Sequence, residues 1–196
     1  MTTGILILAA GAASRIGRAK MLLPFRDTNI LSHILNEVRS LNPHCICLVT
    51  GYYHKEILAA IDTRGLYIAH NEHWEEGMGA SIRMGVSELM KMNTGLSSLI
   101  IIVSDQPYLN SNVLQEMIDT RIKTKKGIIA AKYGQIKGTP VLFDQKYFSL
   151  LLLLKGDTGA KFILQQNTED IATVEFSLGE IDIDTQEDYE KLSKKN

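Results

Sequence analysis

Short, continuous apolar runs recur along this chain, and stretches with helical spacing separate them. The strongest run is Leu99-Ile100-Ile101-Ile102-Val103, and the segments Ile5–Leu8 and Ile46–Thr50 are similar. Strands that are apolar throughout are typical of parallel sheets whose two faces are both covered by helices. The pattern therefore predicts an α/β fold with three layers, in which a mostly parallel sheet lies between helices.

The remaining elements follow from periodicity and from capping residues. Helices are predicted at Ile30–Leu41 with Asn29 as a possible cap, Lys55–Ile61, Ala80–Met92 and Ser111–Lys123, and further strands at Leu66–Ala69 and Ile128–Lys132. Pro140–Phe143 is interpreted as an edge strand running antiparallel. Two helices are expected around Gly156–Gly159, and a closing strand and helix between Ile171 and Lys194. No repeat or linker is visible, so one domain spanning residues 1–196 is expected.

Composition excludes several classes of protein. Charged residues make up 22% and apolar residues 45% of the 196 positions, and the net charge is −1. A nucleic-acid binder with a large basic face is therefore disfavoured. The apolar N-terminus lacks a positive leading segment, and the leucine run Leu150–Leu154 is too short to span a bilayer, so no membrane association is expected. Cys45 and Cys47 are interpreted as buried thiols, with a metal pair as the weaker alternative, and a cytoplasmic location is expected.

The loop after the first strand is built from small residues and carries the cations Arg15, Arg18 and Lys20. Small residues let the backbone approach a ligand closely, and cations supply charge, so the combination suits a polyphosphate. Two better-known phosphate motifs do not fit. Five residues separate Gly11 from Gly17, where a P-loop has four, and Ala13 stands where a dinucleotide fingerprint needs glycine. Taken alone, the loop is also compatible with a turn carrying solvated cations.

Polar and glycine residues follow each of the predicted strands. In open parallel sheets, ligands bind beyond the carboxyl ends of the strands, so these residues are expected to converge on one edge. The segments concerned are the first loop, Gly51-Tyr52, Asn71, Gly77–Ser81 and Ser104–Pro107. The topology therefore predicts a binding site at this edge.

Asp105 carries the sharpest chemical indication, because it ends the most apolar strand beside a loop suited to phosphates. Mg²⁺ prefers oxygen ligands and commonly takes one or two carboxylates together with substrate phosphates. A second carboxylate source is Asp182-Ile183-Asp184, where alternation puts both acids on one face. Capping is the alternative role for Asp105, and also for Asp184, which would cap the last helix with Glu187 in the box position.

Taken together, the chain resembles the MobA-like nucleotidyltransferase family, and most closely its molybdenum cofactor cytidylyltransferase branch. The matching segments run in family order over nearly the whole chain: Leu8–Gly17 with Lys20 and Leu22–Pro24, Asn71 through Trp74 to Gly77-Met78 and Ser81, Ser104–Pro107, Gly138–Pro140, Gly156–Ala160, and Asp182–Thr185 with Asp188.

The resemblance implies a Rossmann-like α/β/α domain that transfers a nucleotidyl group. The implied reaction joins CTP to the molybdopterin form of molybdenum cofactor and releases pyrophosphate. An acceptor molybdoenzyme or its chaperone would then be a partner. Alternatives are a nucleotidyltransferase for a sugar or alditol phosphate, a GTP-using guanylyltransferase, and a non-catalytic nucleotide-binding partner protein. A nicotinamide-dependent oxidoreductase is disfavoured by Ala13.

The resemblance also implies a role for each matching residue. Backbone groups of Ala9, Ala10 and Gly11 would hold the nucleotide, and Asn71, Gly77 and Ser81 would line its base and ribose side. Arg15 and Lys20 would neutralise the triphosphate and the leaving pyrophosphate, while Asp105 with Asp184 would hold Mg²⁺. The acceptor would face Gly138, Thr139, Pro140 and Asp157.

Three positions depart from the family pattern. Ile16 stands where methionine is usual, Thr139 replaces a histidine common in the cytidylyltransferase branch, and Lys161 replaces a frequent arginine. Lys161 keeps the charge but loses the bidentate geometry of arginine. Cytosine and molybdopterin specificity are therefore expectations.

Overall fold

A seven-stranded sheet forms the centre of the protein. The structure is a computed structural model that describes residues 2–12, 17–181, 183 and 187–189. The strands of the sheet are β1 (Thr3–Ala9), β4 (Cys45–Thr50), β5 (Tyr67–His70), β6 (Ser98–Val103), β7 (Ile128–Tyr133), β8 (Ile136–Asp144) and β9 (Ile171–Glu175), while β2 (Pro24–Phe25) and β3 (Thr28–Asn29) form a separate hairpin. Their order is β5-β4-β1-β6-β8-β7-β9, and β8 alone runs antiparallel to its neighbours.

Helices cover both faces of this sheet. They are α1 (Ile30–Ser40), α2 (His54–Ala60), α3 (Met78–Met92), α4 (Ser111–Thr124), α5 (Phe148–Leu151) and α6 (Ala160–Gln166). Apolar residues of α1, α2 and α4 pack in one core cluster, and those of α3, α5 and α6 pack in another. The predicted three-layer α/β fold with a mostly parallel sheet is confirmed.

The first strand shows why continuous apolar runs fit this architecture. Successive side chains of a strand point to opposite faces. Accordingly, Ile5 and Ile7 join the cluster under α1 and α4, whereas Leu6 and Leu8 join the cluster under α3. Both faces of β1 are therefore desolvated, which an alternating polar pattern would not allow.

Most predicted elements agree with the structure to within two residues at each end. Asn29 caps α1 as expected, because its side-chain oxygen accepts a 2.8 Å hydrogen bond from the Ser32 N–H. The antiparallel direction predicted for Pro140–Phe143 is also confirmed. Its position at an edge is wrong, because β8 lies between β6 and β7.

The interior position of β8 is possible because a bulge absorbs its proline. Ala130 pairs with Val141, but the next residue, Ala131, pairs with Gly138, so Thr139 and Pro140 fall outside the ladder with β7. Proline has no N–H to donate, and a bulge is one of the few places where a sheet tolerates it. The pairing of Val141 with Ile101 places Thr139 near the carboxyl end of β6.

Both cysteines are free and buried, as the sequence predicts. Burial raises the pKa of the Cys47 thiol to about 12. Thiols of this kind are unreactive, because the thiolate is the nucleophile and the metal ligand. Within the described ranges, every helix is too short or too polar to traverse a bilayer.

Candidate active site

A cavity opens at the carboxyl ends of β1 and β6, where the sheet topology predicts a site. Seven of the predicted site residues are in its wall: Ala9, Ala10, Gly11, Lys20, Gly77, Ser81 and Asp105. Leu8, Met21, Trp74, Met78, Val103 and Ser104 complete the lining. The fold therefore brings together segments that are up to 97 residues apart in sequence, from Leu8 to Asp105.

Lys20 and Asp105 form an ion pair in this cavity. Lys20 begins the single-turn helix Lys20–Leu22, and its Nζ donates a 2.8 Å hydrogen bond to Asp105 Oδ2. The side chains are only 15% and 23% exposed, so water screens the pair less than it would a surface pair. The cavity thus holds a cation and a carboxylate in direct contact.

Asn71 supports the cavity wall rather than forming it. Its side chain is buried, and its Nδ2 donates a 3.0 Å hydrogen bond to the hydroxyl of Ser81. Its Oδ1 accepts a 3.0 Å hydrogen bond from the His73 N–H. Asn71 therefore fixes Ser81, which lines the cavity at the start of α3, to the loop that carries Trp74.

Gly77 permits a close approach of two loops. Its φ is +93°, and a Cβ there would lie 2.5 Å from both Asp157 Oδ1 and the carbonyl carbon of Gly156. The neighbouring Gly79 N–H donates a 2.9 Å hydrogen bond to the Gly156 carbonyl. Asp157 therefore lies beside Gly77, and its expected role in facing the acceptor stays a prediction.

A second cavity adjoins the first. It is lined by Val103, Asp105, Gln106, Tyr133, Ile136, Thr139, Gly179 and Glu180. Val103 and Asp105 belong to both walls. Asp105 thus stands at the junction of two cavities.

Two glycines leave room for the Tyr133 ring in the wall of the second cavity. A Cβ on Gly138 would collide with the Tyr133 hydroxyl, and a Cβ on Gly179 would lie 2.8 Å from Tyr133 Cδ1. Gly138 is one of the residues expected to face the acceptor. In the structure it makes room for Tyr133, while the adjacent Thr139 lines the cavity.

Two predicted site residues, Arg15 and Asp184, lie outside the described residues, as does Asp182. Ile183, which stands between the two aspartates in sequence, is buried, and its N–H donates a 3.3 Å hydrogen bond to the Asp105 carbonyl. Ile183 itself is therefore hydrogen-bonded to the loop that carries Asp105.

The donor set at Asp105 fits a hard divalent cation. Its carboxylate supplies oxygen ligands and lines both cavities. Mg²⁺ sites in nucleotide-binding proteins commonly use one or two carboxylates and complete the shell with phosphates and water. No group of three or more His, Cys, Asp or Glu side chains able to hold a metal occurs in the described part of the chain, so a metal bound by protein ligands alone is not indicated there.

Comparison with known proteins agrees with this geometry. Residues 5–171 match the MobA-like NTP transferase domain. The chain belongs to this family.

Individual relatives of this MobA-like domain extend the comparison. The bifunctional protein GlmU of Francisella tularensis subsp. novicida is 25% identical over 149 residues, which cover 75% of this chain and 31% of GlmU. The chain thus spans about a third of GlmU. The crystal structure of Rv0371c from Mycobacterium tuberculosis superposes with a TM-score of 0.87 at 26% identity, covering 98% of this chain and 97% of Rv0371c.

Two further solved structures share the fold of the MobA-like domain. A manganese complex of Rv0371c has a TM-score of 0.83 at 24% identity, with both chains fully covered. A nucleotidyl transferase from Methanothermobacter thermautotroptrophicus has a TM-score of 0.81 at 16% identity, covering 100% of this chain and 99% of the other. The predicted membership of the MobA-like family is confirmed, and the placement in its cytidylyltransferase branch stays a prediction.

Sequence reasoning missed several residues that line the cavities of this MobA-like domain. Gln106 occurs in the motif Ser104–Pro107, yet no role was predicted for it. Its position directly after Asp105 was the available signal. Tyr133 and Gly179 gave no local signal, because the hairpin of β7 and β8 and the chain after β9 meet only in the folded protein.

Proposed function

We propose that this MobA-like domain transfers a nucleotidyl group from a nucleoside triphosphate to a phosphate-bearing acceptor. The observation that carries the proposal is that Asp105 lines two adjoining cavities. A transferase of this kind must hold two substrates so that their reacting phosphates meet. A divalent cation held by a carboxylate at the junction would contact the phosphates of both substrates.

In this proposal the first cavity takes the nucleoside triphosphate, with CTP as the favoured donor. Backbone groups of Ala9, Ala10 and Gly11 hold the nucleotide, and Gly77 and Ser81 line its base and ribose side. Asn71 acts by positioning Ser81, as its 3.0 Å hydrogen bond indicates. Lys20, together with Arg15, neutralises the triphosphate and the pyrophosphate that leaves.

Asp105 is the proposed protein ligand of Mg²⁺, with Asp184 or Asp182 as the second carboxylate. The contact between Ile183 and the Asp105 carbonyl supports that pairing. The manganese complex of Rv0371c supports a divalent cation in general. When bound, the cation would neutralise charge on the phosphate oxygens.

The second cavity is the proposed acceptor site, with the molybdopterin form of molybdenum cofactor as the favoured acceptor. An oxygen of the acceptor phosphate bonds to the α-phosphorus, and the bond from that phosphorus to the bridging oxygen breaks, releasing pyrophosphate. The protein needs no nucleophile of its own. Its residues bring the two phosphates into line and stabilise the charge that develops.

A pyrophosphate-release assay tests the proposal directly. Purified protein is supplied with Mg²⁺ or Mn²⁺ and with each of CTP, GTP, ATP and UTP, crossed with molybdopterin cofactor, hexose 1-phosphates and alditol phosphates. We expect release that depends on the metal, the nucleotide and the acceptor, and that is greatest with CTP and molybdopterin. Release with GTP or with a sugar phosphate instead would redefine the substrates. Absence of release with every pair would reject the proposed function.

A further inference from the structure

Gln106 is a buried polar side chain in the wall of the second cavity. It follows Asp105 directly in sequence, and only 3% of its surface is exposed. Val103, Asp105, Thr139 and Gly179 line the same cavity. A polar group so placed lies beside the junction that the proposed reaction uses.

Two hydrogen bonds fix the orientation of the Gln106 amide. Its Nε2 donates to the Thr139 carbonyl at 3.1 Å and to the Gly179 carbonyl at 2.8 Å. Both partners are acceptors, so exchanging the amide nitrogen and oxygen would set Oε1 against two carbonyl oxygens. The side chain therefore presents Oε1 as a hydrogen-bond acceptor in a defined direction.

That oxygen has no donor among the residues the structure describes, although it is buried from solvent. Buried side-chain oxygens in folded proteins almost always accept a hydrogen bond, because leaving one unsatisfied costs the full desolvation penalty. The two donated hydrogen bonds keep the amide from rotating toward another partner. The oxygen is thus held in one orientation, and no described residue donates a hydrogen bond to it.

We propose that Gln106 Oε1 accepts a hydrogen bond from an N–H or O–H group of the acceptor substrate. This inference rests on the proposed function and deepens it. It makes Gln106 a specificity-determining residue and assigns the acceptor a class: a phosphate-bearing molecule with a hydrogen-bond donor near its phosphate. The amino and ring N–H groups of a pterin and the hydroxyl groups of a sugar share this chemistry.

Kinetics with matched substrates and variants test the role of Oε1. The acceptor that supports turnover is compared with analogues lacking one donor: deoxy sugars for a hexose 1-phosphate, N-methyl derivatives for a pterin. In the unmodified protein, loss of the recognised donor lowers kcat/KM for the acceptor by about tenfold or more. Gln106→Met keeps the length of the side chain but has no amide. In this variant, the kcat/KM for the same analogue is expected to lie less than about twofold below that for the full acceptor.

Two results would overturn the inference. One is an equal fall in kcat/KM on removal of the donor in the unmodified protein and in Gln106→Met. That result would mean that Gln106 only joins Thr139 to Gly179. The other is a rise in KM for the nucleotide as large as that for the acceptor. Gln115→Met, at an exposed glutamine of α4, controls for the loss of an amide as such.

A measurement on the unmodified protein keeps the test independent of folding and of turnover. The 13Cδ resonance of the Gln106 amide is followed by NMR during titration with molybdopterin cofactor or glucose 1-phosphate, and then with CTP alone. We expect a shift with one of the acceptors, little change with CTP, and no change at Gln115. No shift at saturating acceptor would overturn the inference. Failure of the proposed function is a separate result, namely no pyrophosphate release.

Discussion

The Lys20 ammonium donates a 2.8 Å hydrogen bond to the Asp105 carboxylate, joining the loop after β1 to the loop after β6. The pair compensates the carboxylate charge within a partly buried cavity. In the proposed reaction, a triphosphate would bring further negative charge into this cavity, and a divalent cation would bring positive charge. Both side chains are therefore positioned to bind ligand groups of opposite sign, and each can be tested separately.

Asp105→Asn is expected to lower metal-dependent pyrophosphate release by roughly 100-fold or more, because an amide is a much weaker ligand for a divalent cation. The side chain keeps its size, so the melting temperature should change little. Pyrophosphate release across a Mg²⁺ or Mn²⁺ titration measures the effect. Asp119→Asn, at an exposed position of α4, is the matched control. Unchanged turnover in Asp105→Asn would contradict the metal assignment.

Lys20→Met is expected to raise the KM for the nucleoside triphosphate about tenfold, because a charge-assisted hydrogen bond to phosphate is lost. In the double variant with Asp105→Asn, the loss of kcat/KM should be smaller than the sum of the two single losses in free-energy terms, because the two residues share one contact. Steady-state kinetics of the single and double variants give the coupling. Fully additive losses would show that the two side chains act independently.

Gly11→Ala and Gly77→Ala should separate binding from stability. No atom of the described residues lies within 4 Å of a Cβ built on Gly11, so the unfolding free energy should change by less than about 0.5 kcal/mol, while the methyl group should obstruct the proposed nucleotide site. In Gly77→Ala, the new Cβ would clash with the Gly156 backbone, and the alanine would have to adopt a φ of +93°. The unfolding free energy should therefore fall by about 1–3 kcal/mol, and nucleotide binding should weaken as well.

Gly65→Ala isolates the cost of backbone strain in this series. Its φ is +74°, but apart from its chain neighbours no described residue has an atom within 4 Å of its Cβ position. Urea unfolding should rank the loss of stability as Gly77→Ala, then Gly65→Ala, then Gly11→Ala. A large loss of stability in Gly11→Ala would refute the reading of Gly11 as a ligand-facing position.

Trp74 should report nucleotide binding by fluorescence. It is the one tryptophan of the chain, it lines the first cavity, and Tyr52 packs edge-on against it with ring centres 5.3 Å apart. Adding CTP is expected to change its emission in a saturable way, with a midpoint that matches the KM. Trp74→Phe should abolish the signal while retaining measurable turnover. Constant emission at a CTP concentration that saturates turnover would argue that the nucleotide binds elsewhere.

Asp170 should control stability in acid. Burial alone would raise its pKa, but hydrogen bonds from Lys146, Tyr147 and the Gly127 N–H outweigh burial and lower the pKa to about 2. The ordinary value in an unfolded chain is about 3.9. Since the folded pKa is the lower one, the stabilisation is complete above about pH 4 and is lost as the pH falls toward 2.

Urea unfolding between pH 7 and pH 2 checks this. The unmodified protein should lose stability more steeply below pH 4 than Asp170→Asn, whose amide does not titrate. Asp119→Asn is again the control and should follow the unmodified protein. Parallel curves for the unmodified protein and Asp170→Asn would disprove the shift.

Local patterns predicted the elements of the sheet well but not its order. The run Leu99–Val103 is apolar throughout, and it forms β6 at the centre of the sheet. The position of β8 was mispredicted, because the presence of Pro140 on an interior strand depends on the bulge opposite Ala130 and Ala131. A bulge is a property of two paired strands, and one segment of sequence does not contain it.

In the candidate site, too, some contacts could be predicted from local sequence and others depend on the folded structure. Glycines and charged residues after the strands identified most of the first cavity, because the ends of parallel strands necessarily meet at one edge. The second cavity is built from the end of β6, the β7–β8 hairpin and the chain after β9. The proposed role of Gln106 depends on the carbonyl groups of Thr139 and Gly179. Backbone carbonyls carry no sequence signal, so these contacts required the folded structure.

The shared position of Asp105 has a consequence for how such a domain diversifies. Among the described lining residues, only Val103 and Asp105 belong to both cavities. Of the other residues of the second cavity, Gln106 follows Asp105 directly, whereas Tyr133, Ile136, Thr139, Gly179 and Glu180 come from segments that the first cavity does not use. If each cavity holds one substrate, as proposed, substitutions in the wall of one cavity alter recognition of that substrate and leave the other wall unchanged. Under the proposed function, the β7–β8 hairpin is the segment to exchange when protein engineering aims at a new acceptor.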